Sequence, residues 1–356
     1  MSGLINRIFN DGSRDMRRRV ITIYAGLIIA NVAVWIWALL ALNDHPLLLG
    51  SALLAYTFGL RHAVDADHIA AIDNVTRKLM QQGQRPLGVG LFFSLGHSAV
   101  VVLLSIGVAF ATSEISSNFE TLKSVGGIIS TSVSAFFLFA LALVNIVVLV
   151  SVYRTFQRVK NGGSFVEDDL DILLNNRGFL ARIFRPLFGM VNTSWQMFPV
   201  GFLFGLGFDT ATEVALFGIS AAQAAQGLSF WAIMVFPALF TAGMSLVDTT
   251  DGVLMIGAYG WAFNKPVRKL YYNMTITAVS VLVAILIGGI ETLGLIGDQL
   301  SLTEGGGFWG MIGTLNDNFG SLGYAIIGIF ALSWIVSVVI YRVKGYDKLD
   351  VRAGSI

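Results

Sequence analysis

Long apolar runs without charged residues constrain this chain more than any other feature of its sequence. Residues 20–42 and 125–152 contain no charged side chain, and residues 87–111 contain one ionisable group, His97. Each run reaches the roughly 20 residues that a helix needs to cross a bilayer. Runs this long and continuous predict helices rather than barrel strands, because lipid offers no partners for backbone polar groups. The sequence therefore predicts an all-α, polytopic membrane protein.

Eight apolar segments divide the chain, and we number them as predicted spans one to eight. They cover residues 20–42, 47–73, 87–111, 125–152, 195–222, 229–259, 271–296 and 321–341. The chain, 1–356, is predicted to be one transmembrane domain with polar segments at 1–19, 153–194 and 343–356. We expect a short helix on the inner leaflet within 153–194, and an outer loop, re-entrant or not, at 302–318.

Lysine and arginine lie at alternate ends of the spans, which predicts the orientation. Basic residues cluster before span one and after spans two, four, six and eight, as at Arg17, Arg77, Arg158, Lys269 and Arg342. The other loops contain acids and a single basic residue, Lys123. Because cytoplasmic loops are enriched in Lys and Arg, both termini are predicted to be cytoplasmic.

Span two contains a dense group of charged and metal-binding residues, Arg61-His62-Ala63-Val64-Asp65-Ala66-Asp67-His68-Ile69. Charged side chains at membrane depth are costly and usually serve a function. At about 100° per residue, His62, Asp65 and Asp73 share a narrow arc, whereas Asp67 points nearly opposite. A straight helix therefore cannot direct all four histidines and aspartates of the group at one ion. Either the helix unwinds locally, or Asp67 holds an imidazole instead of binding the ion.

Three other spans add ionisable groups to this set. His97 lies near the middle of span three, and beside the span-two group a functional role is favoured over packing. Spans five and six each carry two acids on one helix face: Asp209, Glu213, Asp248 and Asp251. With the two aspartates of span two, these make six acids against one base, Arg61. A divalent cation, protonated carboxylates or both must offset that charge. The alternative is a structural network in which Arg61 neutralises an aspartate.

A short internal similarity connects the two halves of the membrane region. Phe58-Gly59-Leu60 precedes the ligands of span two, and Phe204-Gly205-Leu206 precedes Asp209 in span five. An offset of three spans reverses the direction through the membrane, so spans one to three and four to six are a candidate inverted repeat. Chance explains three shared residues about as well. The hypothesis requires His62, His68, Asp209 and Asp248 to face one cavity.

The motifs of spans two, three, five and six resemble those of the nickel/cobalt transporter family (NiCoT). Arg61–Ile69 matches its second-helix signature in full; the other matches are Leu95–Ser98, Leu206–Glu213 and Gly243–Asp251. The resemblance implies an eight-helix uptake permease for Ni²⁺ and/or Co²⁺ in which the histidines and aspartates of span two are essential. We expect His62, Asp65, Asp67 and His68 to bind the metal ion. The supporting or pathway residues would be Arg61, His97, Asp209, Glu213, Asp248 and Asp251.

Two other functions compete with uptake. An intramembrane metalloenzyme is disfavoured because the chain has no His-Glu-x-x-His motif and only four histidines. A related Ni²⁺/Co²⁺ exporter would usually carry a His-rich loop, which is absent. Without a phosphate-binding Gly-rich loop, the chain is expected to be a secondary transporter of the cell membrane, not an enzyme or ATPase. Its expected partners are the metal ion, as substrate and not cofactor, and the lipid bilayer, with no nucleic acid.

Overall fold

A computed structural model of the chain describes residues 15–110, 112–161, 190–206, 211–262, 266–303 and 306–345. Within these ranges the regular structure is helical, with no strand. The helices are α1 (Met16–Ala41), α2 (Leu48–His62), α3 (Ala66–Gln81), α4 (Val89–Phe110), α5 (Thr112–Lys160), α6 (Met197–Phe204), α7 (Ala211–Ala225), α8 (Phe230–Ile233), α9 (Val235–Ala262), α10 (Pro266–Gln299), α11 (Gly307–Asp317) and α12 (Phe319–Val343).

Six regions are long and apolar enough to cross a membrane: α1, α4, α5, α8 with α9, α10 and α12. They correspond to spans one, three, four, six, seven and eight, which confirms the all-α polytopic class. The number of crossings and the side of the termini stay predictions. The loop expected at 302–318 is wrong, because residues 307–317 form α11. Most of the polar segment 153–194, including its expected short helix, lies outside the described residues.

Span two is interrupted at the residues that the sequence predicts to bind the metal ion. Helix α2 ends at His62, and α3 begins at Ala66. Between them, Val64 N donates to Arg61 O at 3.0 Å and Asp65 N to His62 O at 2.9 Å, which are tight turns. Asp65 then adopts an extended backbone, with φ −64° and ψ 149°. Of the two alternatives drawn from the sequence, the structure shows the local unwinding, and this frees His62 and His68 from the angular spacing of one helix.

Span five is also divided, into α6 and α7. Helix α6 ends at Phe204, Gly205 and Leu206 form a turn, and α7 begins at Ala211. Residues 207–210 lie outside the described ranges. Spans two and five, the two predicted spans that are not among the six long apolar regions, thus each contain two short helices in the described residues.

Two glycine-mediated helix crossings flank these breaks. A methyl group on Gly59 of α2 would overlap the carbonyl oxygen of Phe240 in α9, and one on Gly201 of α6 would overlap that of Phe93 in α4. Reciprocally, Gly243 of α9 faces the backbone of Tyr56 and Leu60, and Gly96 of α4 faces that of Phe198 and Phe202.

The two crossings share one register. Phe240 and Phe93 each lie three residues before the glycine of their own helix, Gly243 and Gly96. By these contacts the counterpart of Gly59 is Gly201, one helical turn before the Gly205 that the sequence similarity had paired with it. Such a repeated crossing is what an inverted repeat would produce.

Candidate metal site

Three histidines from three helices form a buried triangle beside the break in span two. His62 ends α2, His68 lies in the first turn of α3, and His97 lies in the middle of α4. Their ring centroids are 4.7 Å apart for His62–His68, 4.7 Å for His62–His97 and 4.8 Å for His68–His97. One ring nitrogen from each lies within 4.8 Å of the others. All three side chains are almost fully buried.

Each imidazole contacts a different carboxylate. His62 Nδ1 lies 2.8 Å from Asp65 Oδ2, in the unwound segment. His97 Nε2 lies 2.8 Å from Glu213 Oε1 of α7, and His68 Nδ1 lies 3.4 Å from Asp248 Oδ2 of α9. A carboxylate on one ring nitrogen fixes the orientation of an imidazole and leaves the other nitrogen available as a ligand. His62 and His68 have this arrangement.

The positions of the nitrogens suit a shared ion. His62 Nε2 and His97 Nε2 are 2.9 Å apart. Two imidazole nitrogens that each lie about 2.0–2.1 Å from one ion are separated by about 2.9–3.4 Å for angles between 90° and the tetrahedral value. Within the described part of the chain, His68 Nε2 is buried without a hydrogen-bond partner. Buried polar atoms are normally paired, so this lone nitrogen indicates a ligand.

Aromatic rings close the triangle on two sides. Phe93 packs edge-on against His68 with ring centroids 4.8 Å apart, and Phe240 lies 5.6 Å from His62. Both phenylalanines are fully buried. Their rings lower the local dielectric, which strengthens the interaction between an ion and the surrounding carboxylates. Phe240 is a residue that the sequence motifs gave no reason to select.

The other predicted site residues differ in their burial and in whether they contact the triangle. Arg61 is exposed, and Asp65 contacts His62 instead of this arginine. Asp67 is half-buried and close enough to His62 for their charges to interact. Asp251 lies one turn beyond Asp248 in α9, and Asp209 falls outside the described residues. The sequence had assigned His97 a supporting place, whereas the structure makes it one corner of the triangle.

Comparison with known proteins gives a consistent set of relatives. Residues 48–340 match the NicO family, described as "High-affinity nickel-transport protein". The chain is 59% identical over 337 residues to the high-affinity nickel transport protein of Cupriavidus necator, which covers 95% of each chain.

Two more distant relatives extend this set. The chain is 51% identical over 320 residues to the hydrogenase nickel incorporation protein HupN of Bradyrhizobium diazoefficiens, covering 90% of this chain and 83% of HupN. It is 37% identical over 339 residues to the cobalt transport protein NhlF of Rhodococcus rhodochrous, covering 93% and 95%. No solved structure matches the chain.

Proposed function

Because this chain belongs to the NicO family of high-affinity nickel-transport proteins, we propose that it is a secondary transporter that imports Ni²⁺ and/or Co²⁺ across the cell membrane. The membership confirms the family resemblance seen in the sequence and the expectation that the chain is not an enzyme. The observation that supports the ion site is the buried triangle of His62, His68 and His97. Imidazole ligands suit Ni²⁺ and Co²⁺, whereas Mg²⁺ and Ca²⁺ prefer oxygen ligands.

In this proposal the three imidazoles replace water molecules of the incoming ion. Asp65 and Asp248 hold His62 and His68 by their Nδ1 atoms, so that each ring presents Nε2 to the ion. Glu213 lies 3.7 Å from His62 Nε2 and 2.8 Å from His97 Nε2, where it can bind the ion directly or accept a proton that leaves an imidazole. The ion's two positive charges offset carboxylates that would otherwise repel one another in a low dielectric.

The remaining predicted residues keep proposed roles around this core. Asp67 lies in the first turn of α3, near enough to attract a cation to the triangle. Asp251 and Asp209 are proposed to line the route, and Arg61 to balance its charge. Selection of Ni²⁺ over Zn²⁺ or Cu²⁺ must come from the geometry of the ligands. The intrinsic affinity of such a site is higher for Cu²⁺ than for Ni²⁺, and its affinity for Zn²⁺ is close to that for Ni²⁺.

Uptake is favoured over export by two observations. The chain lacks the His-rich loop that the related exporters usually carry. One relative is named for nickel incorporation into hydrogenase, which fits delivery of the ion into the cell. The driving force is proposed to be an ion gradient or the membrane potential.

The test is uptake of radioactive Ni²⁺ and Co²⁺ by proteoliposomes that contain the purified chain. His62→Ala, His68→Ala and His97→Ala should each abolish uptake, because the two remaining imidazoles leave the ion without its third nitrogen ligand. His45→Ala is the matched control, since His45 is exposed and lies between α1 and α2, away from the triangle. Normal uptake by any two of the three site variants, with normal protein levels, would contradict the proposed site.

A further inference from the structure

A second cluster of buried polar residues lies along α3, beyond the triangle, and takes no part in the proposed ion binding. Residues 68–80 of α3 are all buried. Among them, Asp73 is 0% and Arg77 is 1% exposed. The sequence had placed Asp73 on the arc of His62 and Asp65 without giving it a role. A buried charge is costly unless it is paired, so this group requires an explanation.

The contacts of Arg77 leave much of its guanidinium unsatisfied. Nη2 donates to Asn74 Oδ1 at 3.0 Å, and Nε lies 4.0 Å from Asp73 Oδ2. Nε and Nη1 are buried without a hydrogen-bond partner among the described residues. Asp73 accepts a hydrogen bond from Ser280 Oγ of α10 at 2.7 Å. The guanidinium of Arg77 is therefore close to the Asp73 carboxylate but lies beyond hydrogen-bond distance from it.

A line of carboxylates connects the triangle to this arginine. His68 contacts Asp248, and Asp251 lies one turn further along α9. Asp251 is close enough to Asp73 for their charges to interact. The two helices are in contact beside it, because a methyl group on Gly252 of α9 would lie 3.7 Å from Ile72 Cγ2 of α3. Both α3 and α9 run from the triangle toward the end of the molecule predicted to be cytoplasmic.

We propose that Arg77 is a positioning residue for ion release, which prevents the inner carboxylates Asp73 and Asp251 from trapping the transported ion. This inference rests on the proposed function. Without the guanidinium, the two carboxylates would form an uncompensated anionic pair in a low dielectric and would hold a divalent cation tightly. With it, Asp73 is already partly neutralised, and an ion released from the imidazoles passes inward.

The experiment counts Ni²⁺ bound per chain and measures uptake for the parent and four variants. Arg77→Gln should bind a second Ni²⁺ in detergent, while its uptake falls to about a tenth or less of the parent rate. Arg77→Lys keeps the charge and should bind one ion and retain most uptake. Asp73→Asn combined with Arg77→Gln removes both charges, and it should lose the second ion and recover much of the uptake.

Arg342→Gln provides the matched control, since Arg342 is exposed at the end of α12. A merely structural role for Arg77 would lower uptake in Arg77→Gln without a second bound ion and without rescue by Asp73→Asn. That result would overturn the inference, as would normal uptake by Arg77→Gln. If Arg77→Gln fails to fold, the binding and uptake of Arg77→Lys and of the neutral double variant still decide the matter. If the parent neither binds nor transports Ni²⁺, the proposed function fails, and the inference fails with it.

Discussion

Asp65 can act in two ways at the residue scale, as a ligand or as the carboxylate that orients a ligand. The sequence placed it among the metal ligands, and in the structure it contacts the Nδ1 atom of His62. Nε2 of the same ring points toward His97. This geometry favours the orienting role.

The two roles predict different losses in metal affinity. Asp65→Asn keeps the size of the side chain and removes its charge, and a carboxylate that only orients a histidine is worth about 10–100-fold in affinity. We therefore expect Asp65→Asn to bind Ni²⁺ about 10–100-fold more weakly, whereas His62→Ala should show no measurable binding. Isothermal titration in detergent distinguishes them. Complete loss of binding in Asp65→Asn would identify Asp65 as a ligand.

The sequence predicted two corners of the triangle as metal ligands and gave the third, His97, only a supporting role. His62 and His68 were identifiable because two histidines and two aspartates share a short apolar segment. His97 stands alone in its span, and a lone buried histidine has no sequence signal that separates a ligand from a packing residue. Its contact with Glu213 depends on how α4 and α7 pack, which no local pattern encodes.

At the scale of elements, the unwound segment between α2 and α3 depends on α12 for its shape. Gly323, near the start of α12, packs directly against the carbonyl group of Val64, and a methyl group there would overlap it. Val64 and Asp65 donate only turn hydrogen bonds, to Arg61 O and His62 O, so contacts such as this one help to set the position of the segment. The last predicted span therefore supports the proposed ion site, although none of the proposed ligands belongs to it.

Because of this contact, we expect alanine substitutions at two glycines of α12 to have very different effects on Ni²⁺ uptake. Gly323→Ala should displace Val64 and Asp65, at a cost of about 1–3 kcal/mol for an overpacked contact, and should reduce Ni²⁺ uptake strongly. Gly328→Ala is the matched control, because nothing lies within 4 Å of a methyl group at that position. Uptake by the two variants at equal protein levels is the measurement. Equal uptake would show that the segment tolerates the displacement.

The type of each element was predictable where the apolar pattern is continuous. It was less predictable where polar residues interrupt that pattern. Spans two and five contain polar residues within an apolar run, and the sequence indicated local unwinding as one of two alternatives for span two. For 302–318 the glycines and asparagines predicted a loop, yet Gly307–Asp317 is helical. Asn316 Nδ2 donates to Ile290 O at 3.2 Å, so packing on α10 helps to stabilise a helix that local propensity disfavours.

At the scale of the whole molecule, a hydrogen bond agrees with the predicted orientation. Arg19 Nη1 near the start of α1 donates to Arg85 O, in the loop after α3, at 3.1 Å. Both residues belong to basic clusters that the Lys and Arg pattern assigns to the cytoplasm. The chain contains no cysteine, so a single introduced cysteine reports its own position without background.

Cysteine labelling should therefore reveal the topology. Leu47 and Gln82 are both exposed, in the loops before α2 and after α3. We expect Leu47→Cys to react with an impermeant maleimide added to intact cells, and Gln82→Cys to react only after the membrane is opened. Each variant should first be shown to transport Ni²⁺ at the parent rate. The reverse labelling pattern would place the termini outside.

The two glycine crossings make α2 with α9 one unit and α4 with α6 another, since backbone rests on backbone in each. His62 belongs to the first unit and His97 to the second. Their Nε2 atoms, which are 2.9 Å apart, therefore face each other across the contact between the two units. The units also meet where Gly90 packs against the backbone of Asp248, toward the predicted cytoplasmic end. Under the proposed function, an ion held by His62 and His97 would therefore join the two units across their contact.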